Sequence, residues 1–252
     1  MTKIGVTERG DAGLDLSWVN KLDSVDGAVV ITKNPCSPAF QEAMLKNANK
    51  TVLHATITGY GSVPIEPNVP DFGTAFRALR KMIRDGYPVE RIVLRVDPII
   101  PDENGIKLAE AMIRTGCEFF GIRRVRVSVV DMYPHARERF KRAGLDLPYG
   151  ENFRASPAQF AAVDAMLARC KEIETCNGVV ITPSIEACAE PNLRNATHVG
   201  CIGPKEYELF GIPLPEGEGF KQRRDCLCLP GKTELLENRR QCPHGCLYCY
   251  WK

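Results

Sequence analysis

The sequence predicts an α/β fold, a parallel sheet with right-handed crossovers that is open or partly rolled into a barrel. Three observations carry this expectation. Short β-branched runs recur six times between Lys3 and Cys188, amphipathic stretches lie between them, and several runs carry polar residues on one face. The runs are Ile4–Thr7, Ala28–Thr32, Val52–Thr58, Ile92–Asp97, Val125–Asp131 and Val179–Pro183. Asp71 is placed to cap a helix with Phe72, Ala75, Phe76, Leu79, Met82 and Ile83 on one stripe, and Gly86 supplies its stop. Ser156 and Pro157 open another, with Phe160, Val163, Met166, Leu167 and Cys170 facing inward. Gly203 to Gly219, rich in Gly and Pro, reads as an irregular connector.

Strand faces say more. In "TVLHATIT", Leu53, Ala55 and Ile57 oppose His54, Thr56 and Thr58. Ile92, Leu94 and Val96 oppose Val93, Arg95 and Asp97, and Val125, Val127 and Val129 oppose Arg126, Ser128 and Val130. The last run gives Val180, Thr182 and Ser184 on one face, with Glu186 just beyond it. Closed eight-stranded barrels fill their interiors with Val, Ile and Leu. The polar residues here predict a wider, wet lumen for a polar ligand, with one solvated face of an open sheet as the alternative. His54, Arg95, Asp97, Arg126, Ser128 and Glu186 are the candidate ligand and catalytic contacts. An arginine grips a carboxylate or phosphate in bidentate fashion, and His54 and Asp97 can manage protons. Lys33, Glu66, Tyr133 and His135 follow strands, at the mouth where function collects.

Bulk properties exclude several classes. A chain of 252 residues with 44% hydrophobic content and 25% charge is ordinary for a globular protein. Its net charge of +2 gives no global bias toward polyanions. No apolar run is long enough to span a bilayer, and "MTKIGVTERG" lacks the pattern of a signal peptide, so the expectation is a cytoplasmic protein with no membrane partner.

Eleven cysteines are many for that compartment, and an odd number argues for metal or redox chemistry over a disulfide framework. Seven of them, Cys188, Cys201, Cys226, Cys228, Cys242, Cys246 and Cys249, fall in the last quarter. The chain changes character near Pro183, and we place the barrel at 1–187 and a cysteine-rich extension at 188–252. The spacing of Cys242, Cys246 and Cys249 admits three chemistries. Zinc would need a fourth ligand such as His244 or a distant thiol. A redox pair needs only two thiols. An iron–sulfur cluster with three thiolates leaves one iron open.

"CPHGCLYC" resembles the Cys-x3-Cys-x-aromatic-Cys motif of the radical S-adenosylmethionine (SAM) superfamily, with Tyr248 at the aromatic position. "ITKNP", "ITGYG", "IEPNVP" and "RVDPIIP" resemble stretches of an uncharacterised family of radical-SAM-like proteins, and more distantly of spore photoproduct lyase, a DNA repair enzyme. The usual superfamily member carries its triad after the first strand, whereas "VTERGDAG" has no cysteine here. The resembled family places it at the C-terminus, as in this chain. The resemblance implies a six-unit partial (β/α)6 barrel of TIM-like form, with the extension folded over its mouth. It also implies a [4Fe-4S] cluster on Cys242, Cys246 and Cys249, SAM chelated to the open iron, and the Tyr248 backbone near the adenine. Reductive cleavage of SAM, fed by a reductant such as flavodoxin or ferredoxin, would then start radical chemistry on a substrate.

Cys188, Cys201, Cys226 and Cys228 form a second set that suits an auxiliary iron–sulfur cluster or a structural zinc. Lys221 to Arg224, with Arg239 and Arg240, form a basic patch that can meet a phosphate backbone. Together with this patch, the distant resemblance to spore photoproduct lyase implies a nucleic-acid base as one expected substrate, flipped from its stack; a peptide or small metabolite is another. Two further readings are a zinc-stabilised nucleic-acid-binding module without catalysis and an iron–sulfur electron-transfer protein.

Overall fold

The computed structural model describes residues 2–217, 219, 225–238 and 240–251. In chain order the elements are β1 (Ile4–Val6), β2 (Gly27–Thr32), α1 (Pro38–Lys46), β3 (Thr51–Thr56), α2 (Phe72–Arg84), β4 (Ile92–Ile99), α3 (Glu103–Phe120) and β5 (Arg124–Val129). They continue with α4 (Pro134–Arg142), α5 (Pro157–Cys170), β6 (Ile173–Glu174), β7 (Val180–Ile181), β8 (Ser184–Ala187), β9 (Thr197–His198), α6 (Pro204–Phe210) and β10 (Lys232–Glu234). Eight strands form one sheet in the order β10-β1-β2-β3-β4-β5-β8-β9, and every neighbouring pair is parallel. The α/β class and the parallel sheet are as the sequence predicts. The sheet is open: β9 and β10 are its two edges and do not pair with each other.

Local chemistry places the helices. Asp71 caps α2 by accepting from the Thr74 N–H at 2.9 Å, and Gly86 beyond its end takes φ +108°. Ser156 and Gln159 close a reciprocal capping box at the start of α5. One face of the sheet carries Leu53, Ala55, Leu94, Val96, Val125 and Val127 into a core with Phe40, Phe76, Leu79 and Val163 from the helices. Each such side chain fully buried is worth about 1.5–3 kcal/mol.

Two expectations need correction. The sixth principal strand is β8, not Val179–Pro183. Val180 and Ile181 instead form a small antiparallel hairpin with β6, and Val179 and Val180 are exposed. Pro183 has no N–H to donate, so the ladder begins one residue later, where the Ser184 N–H reaches the Arg123 carbonyl at 2.8 Å. The stretch from Gly203 to Gly219 is also not irregular throughout. Pro204 opens α6, Glu206 accepts from the Gly203 N–H at 2.8 Å, and Gly211 closes the helix in the left-handed region at φ +67°.

The second face of the sheet is covered by this same helix. Tyr207 and Phe210 pack with Ile202 against Ile4, Val6 and Val29. Glu206 reaches the polar side chains of β5 and β8: Arg124 Nη2 donates to its Oε1 at 2.7 Å. Helix α6 thus fills the space beneath the carboxyl ends of the strands. The cavity that remains lies at those ends.

Candidate functional site

A cavity of about 510 Å³ lies at the carboxyl ends of the strands. Its floor is made by residues leaving β1 to β5 and β8, among them Thr7, Thr32, Thr56, Asp97, Ser128 and Cys188. Its roof comes from Cys201, Cys226, Cys228 and the segment from Arg240 to Trp251. All seven cysteines of the last quarter line it. The volume falls within the usual range for small-molecule sites, ~300–1,000 Å³.

The loop bearing Cys242, Cys246 and Cys249 is fixed on one side by the "IEPNVP" segment. The Asn68 side chain donates to the Pro243 carbonyl at 2.8 Å, and the Leu247 N–H donates to the Ile65 carbonyl at 3.0 Å. Gly245 turns the loop at φ +66°, a conformation that strains any residue with a Cβ. Arg139 on α4 donates to the carbonyls of Cys249 and Trp251, both at 2.6 Å. Those carbonyls would otherwise be unpaired near the end of the loop.

His244 lies inside the motif, but both of its ring nitrogens are bonded elsewhere. Its Nε2 donates to Asp11 at 2.9 Å and its Nδ1 to the Asn68 carbonyl at 3.0 Å. Two acceptor oxygens on two ring nitrogens define the charged imidazolium. Burial works against that charge, yet the Asp11 carboxylate holds the His244 pKa above its ordinary value. Asp11 also accepts from the Thr32 hydroxyl at 2.5 Å, the Lys33 N–H at 2.6 Å and the Gly13 N–H at 2.8 Å. Burial alone would raise its pKa; His244 and these donors keep it below the usual carboxylate range. The first and last parts of the chain are joined through this carboxylate.

Lys33 and Glu66 meet as an ion pair at 2.9 Å, and the Tyr248 hydroxyl donates to the same Glu66 carboxylate. The Lys33 ammonium also sits 5.3 Å from the Tyr248 ring centre. The Tyr248 side chain is buried with Tyr60, Val69, Ile100 and Met132. The motif's aromatic residue therefore anchors the loop from below.

Across the cavity Cys188, Cys201, Cys226 and Cys228 form a buried cluster of their own. Cys188 and Cys201 approach to 3.8 Å between sulfurs, and the Cys201 N–H donates to Cys228 Sγ at 3.3 Å. Lys232, at the start of β10, lies 3.9 Å from Cys228 Sγ and pairs with Glu8 at 2.6 Å. Among the described residues, no group of three or more His, Cys, Asp or Glu side chains converges as a site for one metal ion.

The predicted lumen contacts divide into two sets. Arg95, Asp97 and Ser128 line the cavity, with Arg95 and Ser128 both donating to Asp97. Arg126, Glu186 and His54 lie below it. Arg126 donates to Glu186 at 2.5 Å and to the Cys201 carbonyl at 3.2 Å, while Arg124 donates to Glu186 at 3.0 Å. His54, fully buried, lies 3.8 Å from Glu206, and burial pushes its pKa down to about 4. Arg126 and Glu186 are thus bonded to each other, and neither they nor His54 line the cavity; both ring nitrogens of His54 lack a hydrogen-bond partner among the described residues. Tyr133 lines the cavity and stacks on His135 at 5.7 Å. Lys221 to Arg224 and Arg239 lie outside the described residues; Arg240 reaches the cavity wall.

Sequence reasoning missed Asp11, Asn68, Arg139, Glu206 and Lys232. Asn68 sits within a stretch the sequence singles out, but nothing local marks its partner 175 residues away. Asp11, directly after Gly10 and two residues before Gly13, carries only the signal of a turn.

Residues 16–251 match the family model described as a domain of unknown function, DUF1848. The chain belongs to the DUF1848 family. Comparison with curated proteins gives no match. The match to DUF1848 spans both cysteine groups and nearly all of the strands, so most of the cavity lining falls within the family domain, while Thr7 to Asp11 precede it. No helix among the described residues of this DUF1848 chain is long and apolar enough to cross a membrane.

Proposed function

We propose that this chain is a radical SAM enzyme, with Cys242, Cys246 and Cys249 as the ligands of a [4Fe-4S] cluster. One observation carries the reading: three thiols on a pinned loop open onto a cavity, while His244, the obvious fourth ligand, is committed through both ring nitrogens. Soft thiolates suit iron–sulfur ligation, and a three-thiolate set leaves one iron for a small molecule. A zinc staple would want the fourth ligand that His244 withholds. In this reading the open parallel sheet is the superfamily's partial (β/α) barrel, and residues 188–252 are its roof.

When bound, the cluster supplies the electron, delivered by flavodoxin or ferredoxin in the cytoplasm, that cleaves the SAM sulfonium. The chain's own residues position and exclude. The Asp11–His244 pair and Asn68 hold the thiol loop against the sheet. Tyr248 and the Lys33–Glu66 pair close the cavity floor beneath it. Arg95 is oriented by Asp97 and its Nε has no hydrogen-bond partner among the described residues, so the guanidinium keeps a donor for an anionic group. Tyr250 and Trp251, with rings 5.0 Å apart, line the cavity, as does Arg240. Aromatic faces and a cation lining one cavity suit a nucleic-acid base.

The test is anaerobic reconstitution with iron and sulfide, followed by SAM and a strong reductant. Formation of 5′-deoxyadenosine is expected, and Cys246→Ala should abolish it while costing about 1 kcal/mol or less in stability. A protein that holds the triad cluster yet neither binds nor cleaves SAM would refute the reading. Adding nucleosides and single-stranded oligonucleotides in parallel tests the base as substrate through turnover above the uncoupled rate.

A further inference from the structure

The second cysteine group is absorbed by nothing above. Three separate segments bring it together: Cys188 follows β8, Cys201 follows β9, and Cys226 and Cys228 precede β10. The four residues are only 5–9% exposed and line the same cavity as the triad. The 3.8 Å between Cys188 and Cys201 sulfurs is far beyond a disulfide bond, which requires about 2.0 Å. Buried thiols that merely pack, such as Cys117 and Cys170, belong instead to the main apolar core. The backbone is also shaped around this group. A Cβ at Gly200 would run into the Cα and nitrogen of Cys228, so the approach of these two segments requires glycine. That approach is what lets the Cys201 N–H donate to Cys228 Sγ.

We propose that Cys188, Cys201, Cys226 and Cys228 bind a second iron–sulfur cluster ligated by protein alone, with Lys232 as a positioning residue that sets its potential. Four thiolates complete the ligation of a cubane and leave no iron open, which separates this centre from the triad. Four soft thiolates with no nitrogen or oxygen ligand among them suit iron–sulfur ligation, and the zinc that also accepts such a set is separated from it by metal content. Lys232 brings a cation to 3.9 Å from Cys228 Sγ, with its side chain 8% exposed and Glu8 fixing its direction. Hydrogen bonds and positive charge next to cluster sulfur favour the reduced, more negative form and so raise the potential. The placement of this centre on the cavity wall rests on the same cavity as the proposed function, but its ligands do not depend on SAM chemistry.

The full-length protein with Cys242, Cys246 and Cys249 all changed to Ser isolates this site. After anaerobic reconstitution it should retain about 4 Fe and 4 sulfide per chain, and its reduced spectrum should not respond to SAM. Retention of no iron, or of one zinc in its place, overturns the proposal. The complementary variant, with Cys188, Cys201, Cys226 and Cys228 changed to Ser, reports the triad separately: loss of SAM-responsive iron there counts against the proposed function and leaves the second centre standing. In the triad-free background Lys232→Met should lower the reduction potential at unchanged iron content, and Lys232→Arg should restore it. An unmoved potential removes Lys232 from its role.

Discussion

Asp11 shows how much a single carboxylate can organise. It accepts four hydrogen bonds, from Gly13, Thr32, Lys33 and His244, which fill its acceptor sites. Asp11→Asn replaces two of those acceptor sites with donors, facing either the Lys33 N–H and the His244 ring or the Gly13 N–H and the Thr32 hydroxyl. We expect a loss of about 1.5–3 kcal/mol in urea unfolding and easier chelation of iron from the triad. Asn68→Ala should have the weaker version of both effects, about 1 kcal/mol, because it removes one hydrogen bond to Pro243 and leaves no buried charge. The triad itself was legible from spacing, since three thiols within eight residues need no tertiary information. Asp11 was not: its meaning comes from a histidine 233 residues away.

At the scale of elements, α6 decides what the inner face of the sheet is for. The alternation in β3, β4 and β5 marks His54, Arg95, Arg126 and Ser128 as one polar face, and that assignment holds. Glu206, delivered by a short helix from a Gly- and Pro-rich stretch, then neutralises the lower part of it. Burial opposes a charged Glu206, but His54, Arg126 and Arg124 bring its pKa down to about 2. Glu206→Ala would leave Arg124 with its other carboxylate contact only, inside a buried network. A loss of about 3–5 kcal/mol is expected, read by urea denaturation, with Glu206→Gln milder. The β8 boundary makes the companion point. Val179 and Val180 are the stronger strand formers by composition, yet Ile185 and Ala187 are the residues that reach the core. Propensity loses to a proline and to what the α3 and α5 layer can cover.

For the whole molecule the buried network predicts acid sensitivity. His54 is neutral in the fold, with its pKa lowered from 6.5 to about 4, so the unfolded chain takes up its proton first as pH falls. Stability should therefore drop between about pH 6.5 and 4, by at most about 3 kcal/mol from this group. Glu206, lowered from 4.5 to about 2, adds a loss of the same sign between those values. Urea midpoints measured from pH 4 to 7 should slope upward, and His54→Gln should flatten the upper part of that slope. An unchanged slope in the variant would assign the acid sensitivity to other groups.

The sequence by itself determined the α/β class, the parallel order, the polar inner face and the two cysteine groups, because period, capping and thiol spacing are local properties. Only the tertiary structure decided that both groups line one cavity and that the sheet stays open. It also decided that Arg126 and Glu186 pair with each other and that they and His54 lie outside the cavity lining. Those outcomes depend on pairings across most of the chain, Asp11 with His244 and Arg124 with Glu206, where each partner completes the other's hydrogen bonding and charge. No stretch of sequence around either partner carries that information.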